Sequence, residues 1–228
     1  MSDTTLHSRR RKITSRHDGQ TTRGMVLEAA GQVFAERGFQ RATSREICAR
    51  AGANSAAINY YFGGKEALYE ETLIEAHRRF ISLEELNAIM ESGNPVEEKL
   101  RSVLKIAVRA ATRAPDMWAL PLLLREVITP SAALPVVLRD AALPKVMVIR
   151  SLVKEVLGAD ISPEKERHAT ALLVLPCVML VLFPDKLKGL LLPDFPERQD
   201  VLLDSMVTYA LAGMRALRDS GSVSPGCV

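Results

Sequence analysis

Two short helical segments joined through a glycine constrain this sequence more than any other feature. The first covers residues 44–51, with Ile47 and Cys48 on its apolar side, and "AGAN" then turns the chain through Gly52. The second covers about residues 55–62 and ends at a double glycine. Because glycine tolerates the positive φ of a tight turn, this order predicts a helix-turn-helix unit.

The remaining sequence is also helical in its pattern. Apolar residues recur at three- and four-residue intervals from Thr21 to Gly38, where the glycine predicts a helix end. A long helix is expected from Lys65 toward Met90. Further helices are expected at residues 96–113, 116–128, 132–157, 163–183 and 197–218, with Pro135, Pro144 and Pro176 kinking or dividing them. Since no segment alternates as a strand does, we predict an all-α fold of about nine helices.

The amino-acid composition agrees with an all-α fold, and the apolar segments indicate where in the cell the protein is expected. Aromatic residues make up only 5% of the 228 residues, and the apolar positions are mainly Leu, Val, Ile, Ala and Met, a set typical of helices. The longest apolar run, residues 171–183, is too short to cross a bilayer. The basic N-terminus is not followed by the apolar stretch of a signal peptide. We therefore expect a cytoplasmic protein.

The cysteines and histidines give no sign of a metal site. Cys48, Cys177 and Cys227 are widely spaced, and the four histidines are equally scattered. This pattern is typical of a reducing compartment and lacks zinc-ligand spacing. No nucleophile with a nearby base and no phosphate-binding loop is evident, because the "GGK" at 63–65 lacks the P-loop spacing. We expect no cofactor and no enzymatic activity.

Positive charge is concentrated at the front of the chain. Residues 1–65 contain 11 Lys and Arg against 5 Asp and Glu, a net charge of +6, while residues 66–228 carry −3. A basic front on a mildly acidic body favours contact with a polyanion such as DNA. The alternative is a basic tail that only aids solubility.

The second helix of a helix-turn-helix unit enters the DNA major groove, with its N-terminal side chains toward the bases. Small residues and asparagines stand there, and an asparagine amide suits adenine. Hydroxyl groups and cations around them are candidates for phosphate contacts. The predicted DNA-binding residues are Thr43, Ser44, Arg45, Asn54, Ser55, Ala57, Asn59, Tyr60 and Lys65.

Several of these residues have an alternative role in the fold. Asn54 is as well suited to capping the third helix as to contacting a base. Tyr61 and Phe62 are expected to pack in the small core, and Cys48 is expected there too. Tyr60 could share the packing role. Helix-turn-helix units also bind proteins, but the basic charge favours DNA.

Residues 22–71, "TRGMVLEAAGQVFAERGFQRATSREICARAGANSAAINYYFGGKEALYEE", resemble the DNA-binding region of TetR-type transcriptional regulators along their whole length. Asn59 departs from the family pattern, which puts the base preference in doubt. "LREVITPSAAL" (124–134) with "EELNAI" (84–89) also resembles the CecR-like subgroup. The resemblance implies a homodimer, a palindromic DNA operator and a helical C-terminal domain that binds a small-molecule effector.

This resemblance organises the chain into four predicted parts. Residues 1–20 are a disordered basic arm whose Arg9, Arg10, Arg11, Lys12 and Arg16 could add DNA contacts. Residues 21–66 form the helix-turn-helix domain, and residues 67–219 form the ligand-binding and dimerisation domain. Residues 220–228 are a loose tail.

The C-terminal domain needs one apolar face for a partner chain and an apolar pocket for a ligand. The predicted dimer residues are Ala169, Leu172, Leu173, Pro176, Leu180, Met206, Ala210, Gly213, Met214 and Leu217. The predicted pocket residues are Met117, Trp118, Leu120, Leu124, Arg125, Val127, Cys177 and Phe183. Either set could instead be plain core. Arg125 is expected to pair with a carboxylate such as Glu126 or to meet a polar ligand.

The function that unites these features is a ligand-responsive repressor that binds a palindromic operator as a homodimer and leaves it when an apolar or amphipathic molecule binds. A DNA-binding activator or architectural protein without a ligand is the alternative. A small-molecule carrier or an enzyme is a weaker one, since no catalytic grouping supports it.

Overall fold

The computed structural model describes residues 4–112 and 118–220, with side chains described from residue 20 onward. In these residues every regular element is helical, which confirms the predicted all-α class. Their α-helices are α1 (Thr4–Arg41), α2 (Ser44–Arg50), α3 (Ala57–Phe62), α4 (Lys65–Phe80), α5 (Leu83–Glu91), α6 (Val96–Thr112), α7 (Ala119–Ile128), α8 (Leu134–Val137), α9 (Leu143–Leu157), α10 (Pro163–Leu182), α11 (Asp185–Leu191) and α12 (Gln199–Asp219). A π-helical turn, Leu138–Ala142, joins α8 to α9.

The first helix is longer than the sequence predicts. It begins at Thr4, where a disordered arm is expected up to residue 20. Arginine and lysine are good helix formers, and no proline interrupts residues 4–20. Gly38 has φ 73° and ψ 164°, so the regular helix breaks at this residue as predicted.

The segment predicted as one helix from Lys65 toward Met90 is two helices, and that prediction is wrong. α4 ends at Phe80, and α5 begins after Ser82, whose hydroxyl accepts a hydrogen bond from the Glu85 backbone N–H at 3.3 Å. A serine followed by a glutamate three residues later is a helix N-terminus signal. This signal outweighs the continuous apolar pattern.

The prolines act differently in the C-terminal half. Pro135 and Pro144 lie in the first turns of α8 and α9, so they divide the predicted helix 132–157 as expected. α10 instead continues through Pro176 without a break. α11 is a further helix that the sequence pattern did not predict.

The chain forms two compact units. One combines Met1–Arg79 with Asp116–Leu138, and the other combines Phe80–Pro115 with Arg139–Val228. α4 and α7 therefore group with the helix-turn-helix segment, whereas the predicted boundary lies at residue 66. Each unit has its own packing.

In the first unit α1 packs against α2, α3 and α7. Phe34, Phe39 and Tyr69 form an aromatic cluster whose centroids are 4.8 Å (Phe34–Tyr69) and 4.9 Å (Phe39–Tyr69) apart. The Phe34–Tyr69 pair is edge-on, an arrangement that adds to the stabilisation that burial provides. Side chains of the unit that are at most 1% exposed include Val26, Ala30, Val33, Phe34, Ile47, Ile58, Leu68, Leu73 and Leu122.

In the second unit α6 packs against α5, α9, α10 and α12. Its core consists of Leu100, Leu104, Val108, Ile149, Leu152, Val153, Leu157, Ala169, Leu173, Leu203, Val207 and Met214. Burial of each such Leu or Ile contributes about 1.5–3 kcal/mol relative to exposure. Lys188 of α11 is also buried, and its ammonium donates to the Ala111 carbonyl at 3.0 Å, which ties α11 to the end of α6.

None of the described helices is by itself long and apolar enough to cross a membrane. α10 and α11 have the length and apolar composition of a membrane span only when taken together, and the chain bends by 120° at the break between them.

Two glycines of α1 give a prediction about packing. A Cβ at Gly31 would lie inside the indole of Trp118, whereas a Cβ at Gly24 would meet no atom within 4 Å. Gly31→Ala should therefore lower the free energy of unfolding by about 1–3 kcal/mol through overpacking. Gly24→Ala should raise it by up to about 1 kcal/mol, because alanine is the better helix former. Urea unfolding at one protein concentration measures both. Equal effects of the two substitutions would contradict the packing of Trp118 on α1.

Candidate nucleic-acid interface

The turn between α2 and α3 has the geometry that the sequence predicts. Thr43 caps α2, since its hydroxyl accepts a hydrogen bond from the Glu46 backbone N–H at 3.2 Å. Gly52 adopts φ 62°, the left-handed region that favours glycine. The Ala53 N–H donates back to the Cys48 carbonyl at 2.9 Å, which closes the turn.

Apolar contacts and one ion pair connect this unit to α1. Ile47 of α2 and Ile58 of α3 are fully buried. Arg50 at the end of α2 donates two hydrogen bonds to the carboxylate of Glu36 in α1, at 2.6 and 2.9 Å. These bonds lower the pKa of Glu36, with the nearby positive charge as a smaller cause. α2 therefore has a defined orientation on α1.

Most of the predicted DNA-binding residues lie on the exposed side of this unit. Thr43, Arg45, Asn54, Ser55 and Asn59 are exposed, and Ser44 is half-buried. Ala57 differs, because its side chain is 7% exposed and packs inward from the start of α3. A direct contact through the Ala57 methyl group is therefore not available, which corrects that assignment.

Asn54 shapes the entry into α3. Its side-chain oxygen accepts a hydrogen bond from the Ala56 backbone N–H at 2.9 Å and one from the Ser55 hydroxyl at 3.5 Å. This is the local, helix-entry role that the sequence left open beside base contact. The helix N-cap itself is Ala56, so Asn54 acts two residues before the cap position.

The three aromatic residues at the end of α3 divide between surface and core. Tyr60 is 80% exposed and contacts the Tyr61 ring edge-to-face at 4.8 Å. Phe62 is buried, with the Arg23 guanidinium 4.7 Å from its ring centroid. Packing of Phe62 is thus as predicted, whereas Tyr60 presents its hydroxyl to solvent.

Gly63 and Gly64 end α3 with φ values of 81° and 149°, and Lys65 then opens α4. The Lys65 ammonium lies 4.4 Å from the centroid of the Phe39 ring. Its stem is therefore held beside the helix-turn-helix unit, and its contact with a phosphate stays a prediction. The side chains of the basic arm, Arg9 to Arg16, lie outside the described residues.

Sequence reasoning missed the ion pairs that orient the interface. Besides Arg50 with Glu36, Arg37 of α1 lies 3.5 Å from Glu46 of α2. Neither pair has helical i,i+3 or i,i+4 spacing, so the periodicity of the sequence contains no signal for them.

The predicted ligand-pocket residues are divided between the compact units. Trp118, Leu120, Leu124, Arg125 and Val127 lie in the first unit, while Cys177 and Phe183 lie in the second. Met117 lies outside the described residues. Burial raises the pKa of the Cys177 thiol to about 11, and the thiol donates to the Leu173 carbonyl at 3.2 Å. The pocket stays a prediction.

The expected pairing of Arg125 with Glu126 is wrong in the described contacts. Arg125 donates to the Ala35 carbonyl of α1 at 3.2 Å. Glu126 is 3% exposed and accepts hydrogen bonds from the hydroxyl of Tyr69 and from the backbone N–H and hydroxyl of Ser131, all at 2.8 Å. Successive residues on a helix point in different directions, so each finds its own partner.

The predicted dimer residues come together on the second unit. α6, α10 and α12 border an open apolar groove of about 560 Å³. Nine of the ten predicted residues line it, and Leu180 instead packs beside the core. Leu172 is 65% exposed and Tyr209, which the sequence analysis missed, is 81% exposed. An exposed apolar surface of this kind marks an interaction site.

No group of three or more His, Cys, Asp or Glu side chains in the described part of the chain is arranged to hold a metal ion.

Comparison with known proteins identifies the N-terminal region. Residues 26–72 match the sequence profile of the bacterial regulatory proteins of the tetR family. The regulator YdgC of Bacillus subtilis, an HTH-type transcriptional regulator, is 34% identical over 86 residues, which are 38% of this chain and 44% of YdgC. The dual regulator CecR of Shigella flexneri is 51% identical over 51 residues, 22% of each chain. The chain thus spans less than half the length of these relatives in the matches.

The fold extends further than the sequence similarity. The fatty acid degradation regulator FadR of Bacillus halodurans aligns with a TM-score of 0.62, covering 83% of this chain and 98% of FadR at 19% identity. At this identity the alignment shows a shared fold. The matched family is one of regulatory proteins, and both named relatives are transcriptional regulators.

Proposed function

We propose that this protein, whose residues 26–72 match the bacterial regulatory proteins of the tetR family, is a ligand-responsive repressor that binds a palindromic DNA operator as a homodimer. The observation that carries the proposal is the exposed polar face of α2 and α3, oriented on α1 by the Arg50–Glu36 ion pair. The proposal locates the protein in the cytoplasm, where it has access to the operator.

α3 is the proposed reading helix. Asn59 is exposed on it and offers both a donor and an acceptor, the pair that adenine presents in the major groove. Thr43, Arg45, Tyr60 and Lys65 are proposed to contact phosphates, which set the register of the helix on the duplex. Asn54 and Ser55 border the same face, so their free polar atoms are proposed to complete it.

The proposed dimer uses the apolar groove of α6, α10 and α12. A groove with exposed leucine and tyrosine side chains fits a second copy, because a two-fold axis brings the same surface of both chains together. Two chains then present two reading helices about 34–36 Å apart, one turn of DNA.

An apolar or amphipathic effector bound by the C-terminal domain is proposed to favour a dimer whose reading helices no longer match this spacing. A change from 1:99 to 99:1 in the population of the two states requires about 5.5 kcal/mol of difference in effector binding. This difference is within reach of a small apolar ligand, since each buried CH₂ contributes about 0.8 kcal/mol.

Two substitutions on the proposed interface should distinguish a residue that recognises a base from a residue that supplies general affinity for DNA. A duplex selected from a random DNA library by the full chain serves as the operator. Arg45→Ala should weaken binding to all sequences alike and make the slope of log K against log[salt] shallower by about 2, because the dimer loses two phosphate contacts, one from each chain. Asn59→Ala should relax the base preference at one position of each half-site, at a cost of about 1–3 kcal/mol for the preferred base.

Fluorescence anisotropy across a salt series, with single-base variants of the duplex, measures both effects. If library selection returned no palindrome, or if binding did not depend on salt, the repressor proposal would fail. An unchanged base preference in Asn59→Ala would remove Asn59 from the reading face.

The dimer has its own test. Leu172→Glu introduces a charge into the groove and should convert the protein to monomers without unfolding it, since Leu172 is 65% exposed within the single chain. Leu190→Glu is the matched control, because Leu190 is 76% exposed and does not line the groove. Sedimentation equilibrium should give a dimer for the wild type and for Leu190→Glu. A monomeric wild type would contradict the proposal.

A further inference from the structure

The segment 118–131 packs on the helices that carry the proposed DNA-binding face. It belongs to the first compact unit, while Phe80–Pro115 and Arg139–Val228 belong to the second. Within the first unit its helix, α7, contacts α1, and its polar side chains contact both α1 and α4.

The first contact is a buried carboxylate. Glu126 accepts hydrogen bonds from the Tyr69 hydroxyl of α4 and from the Ser131 backbone N–H and hydroxyl, each at 2.8 Å. Glu126 and Tyr69 are both 3% exposed. Burial raises the pKa of Tyr69, and the hydrogen bond to Glu126 adds to the rise, so the hydroxyl remains a donor at neutral pH. A buried carboxylate that loses such a donor is costly, so intermediate positions of α7 against α4 are disfavoured.

The second contact joins three side chains, one of which, Arg79, also donates to Glu75 of its own helix at 2.9 Å. The Trp118 indole N–H donates to one oxygen of Glu28 in α1 at 2.8 Å, and Arg79 of α4 donates to the other oxygen at 2.7 Å. The Arg79 guanidinium also lies 4.7 Å from the centroid of the Trp118 ring. The indole thus joins α1, α4 and the start of α7 at one point.

We propose that these two contacts are a regulatory latch that controls specific operator binding. The α7 latch consists of Trp118, Glu126 and Ser131 on the segment, and Glu28, Tyr69 and Arg79 on α1 and α4. In the latched state α1 and α4 hold α2 and α3 in the geometry that reads the operator. Release of the latch loosens this geometry and lowers specific affinity. The inference rests on the proposed repressor function, whose regulation it describes.

The direction of the effect follows from preorganisation. Reading bases requires α3 to be held at a fixed position on the duplex, whereas phosphate contacts tolerate small movements. A latch that fixes α1 and α4 therefore raises specific affinity more than non-specific affinity. In this proposal the latch has two states, one with these polar groups paired, as in the structure, and one with them separated.

Tyr69→Phe in the full-length protein tests the latch. The substitution keeps the ring that packs on Phe34 and Phe39 and removes only the hydroxyl that binds Glu126. The matched control is Thr72→Val, which removes another fully buried hydroxyl of α4 whose partner is the Leu68 carbonyl of the same helix. DNA probes are the library-selected duplex and a scrambled duplex of equal composition.

Tyr69→Phe should lower the ratio of specific to non-specific affinity by about fivefold or more, the lower end of allosteric couplings. Affinity for the scrambled duplex should change by less than about twofold, since the phosphate contacts remain. Thr72→Val should leave the ratio of specific to non-specific affinity unchanged, even if it lowers the Tm as much as Tyr69→Phe does.

Trp118 gives an independent readout, because it is the single tryptophan of the chain. It is 6% exposed when latched, so acrylamide should quench it weakly in the wild type. Quenching should increase in Tyr69→Phe and decrease again when the selected duplex is added, since DNA that prefers the latched state must restore it.

An unchanged affinity ratio in Tyr69→Phe, or equal losses in Tyr69→Phe and Thr72→Val, would reduce the contacts to a structural role and overturn the latch. Quenching that does not respond to the selected duplex would overturn it as well. If the wild type showed no preference for the selected duplex, the proposed function itself would fail, and the difference between the two failures would be visible in the wild-type control.

Discussion

The packing of α2 and α3 on α1 is the contact on which the rest of the structure depends. These helices have only seven and six residues, too few to be stable alone in water. Their buried undersides, with Ile47 and Ile58 fully covered, supply the missing stability. The same contact determines which side chains remain outside, so the exposure of Asn59 and Tyr60 is a consequence of the core beneath them.

Local features of this arrangement were predictable from the sequence. Helical periodicity, the glycines at 38, 52, 63 and 64, and the cap at Thr43 all act within a few residues, and each lies where it was expected. The apolar stripes of α10 and α12 likewise predicted nine residues of one groove. A pattern repeated over several turns indicates a face even when its partner is unknown.

Contacts between distant residues were not predictable. The Tyr69 hydroxyl binds a carboxylate 57 residues further along the chain, and Trp118 binds Glu28 across 90 residues. Neither pair produces a periodic pattern in the sequence. The types of residue around Trp118 and Arg125 predicted that both line a pocket. In the structure their described contacts hold α7 to α1. The helix break at Ser82 is different, because it has a local signal. The capping serine ends the long apolar pattern that predicts one continuous helix.

The central claim is that DNA binds the exposed face of α3. Two tyrosines permit a matched comparison, since Tyr60 on α3 is 80% exposed and Tyr209 on α12 is 81% exposed. Photoreactive benzoylphenylalanine can replace either residue in the full chain before irradiation with the bound duplex. The account predicts covalent attachment of DNA from position 60 and none from position 209. Attachment from position 209 alone, or equal attachment from both, would contradict it.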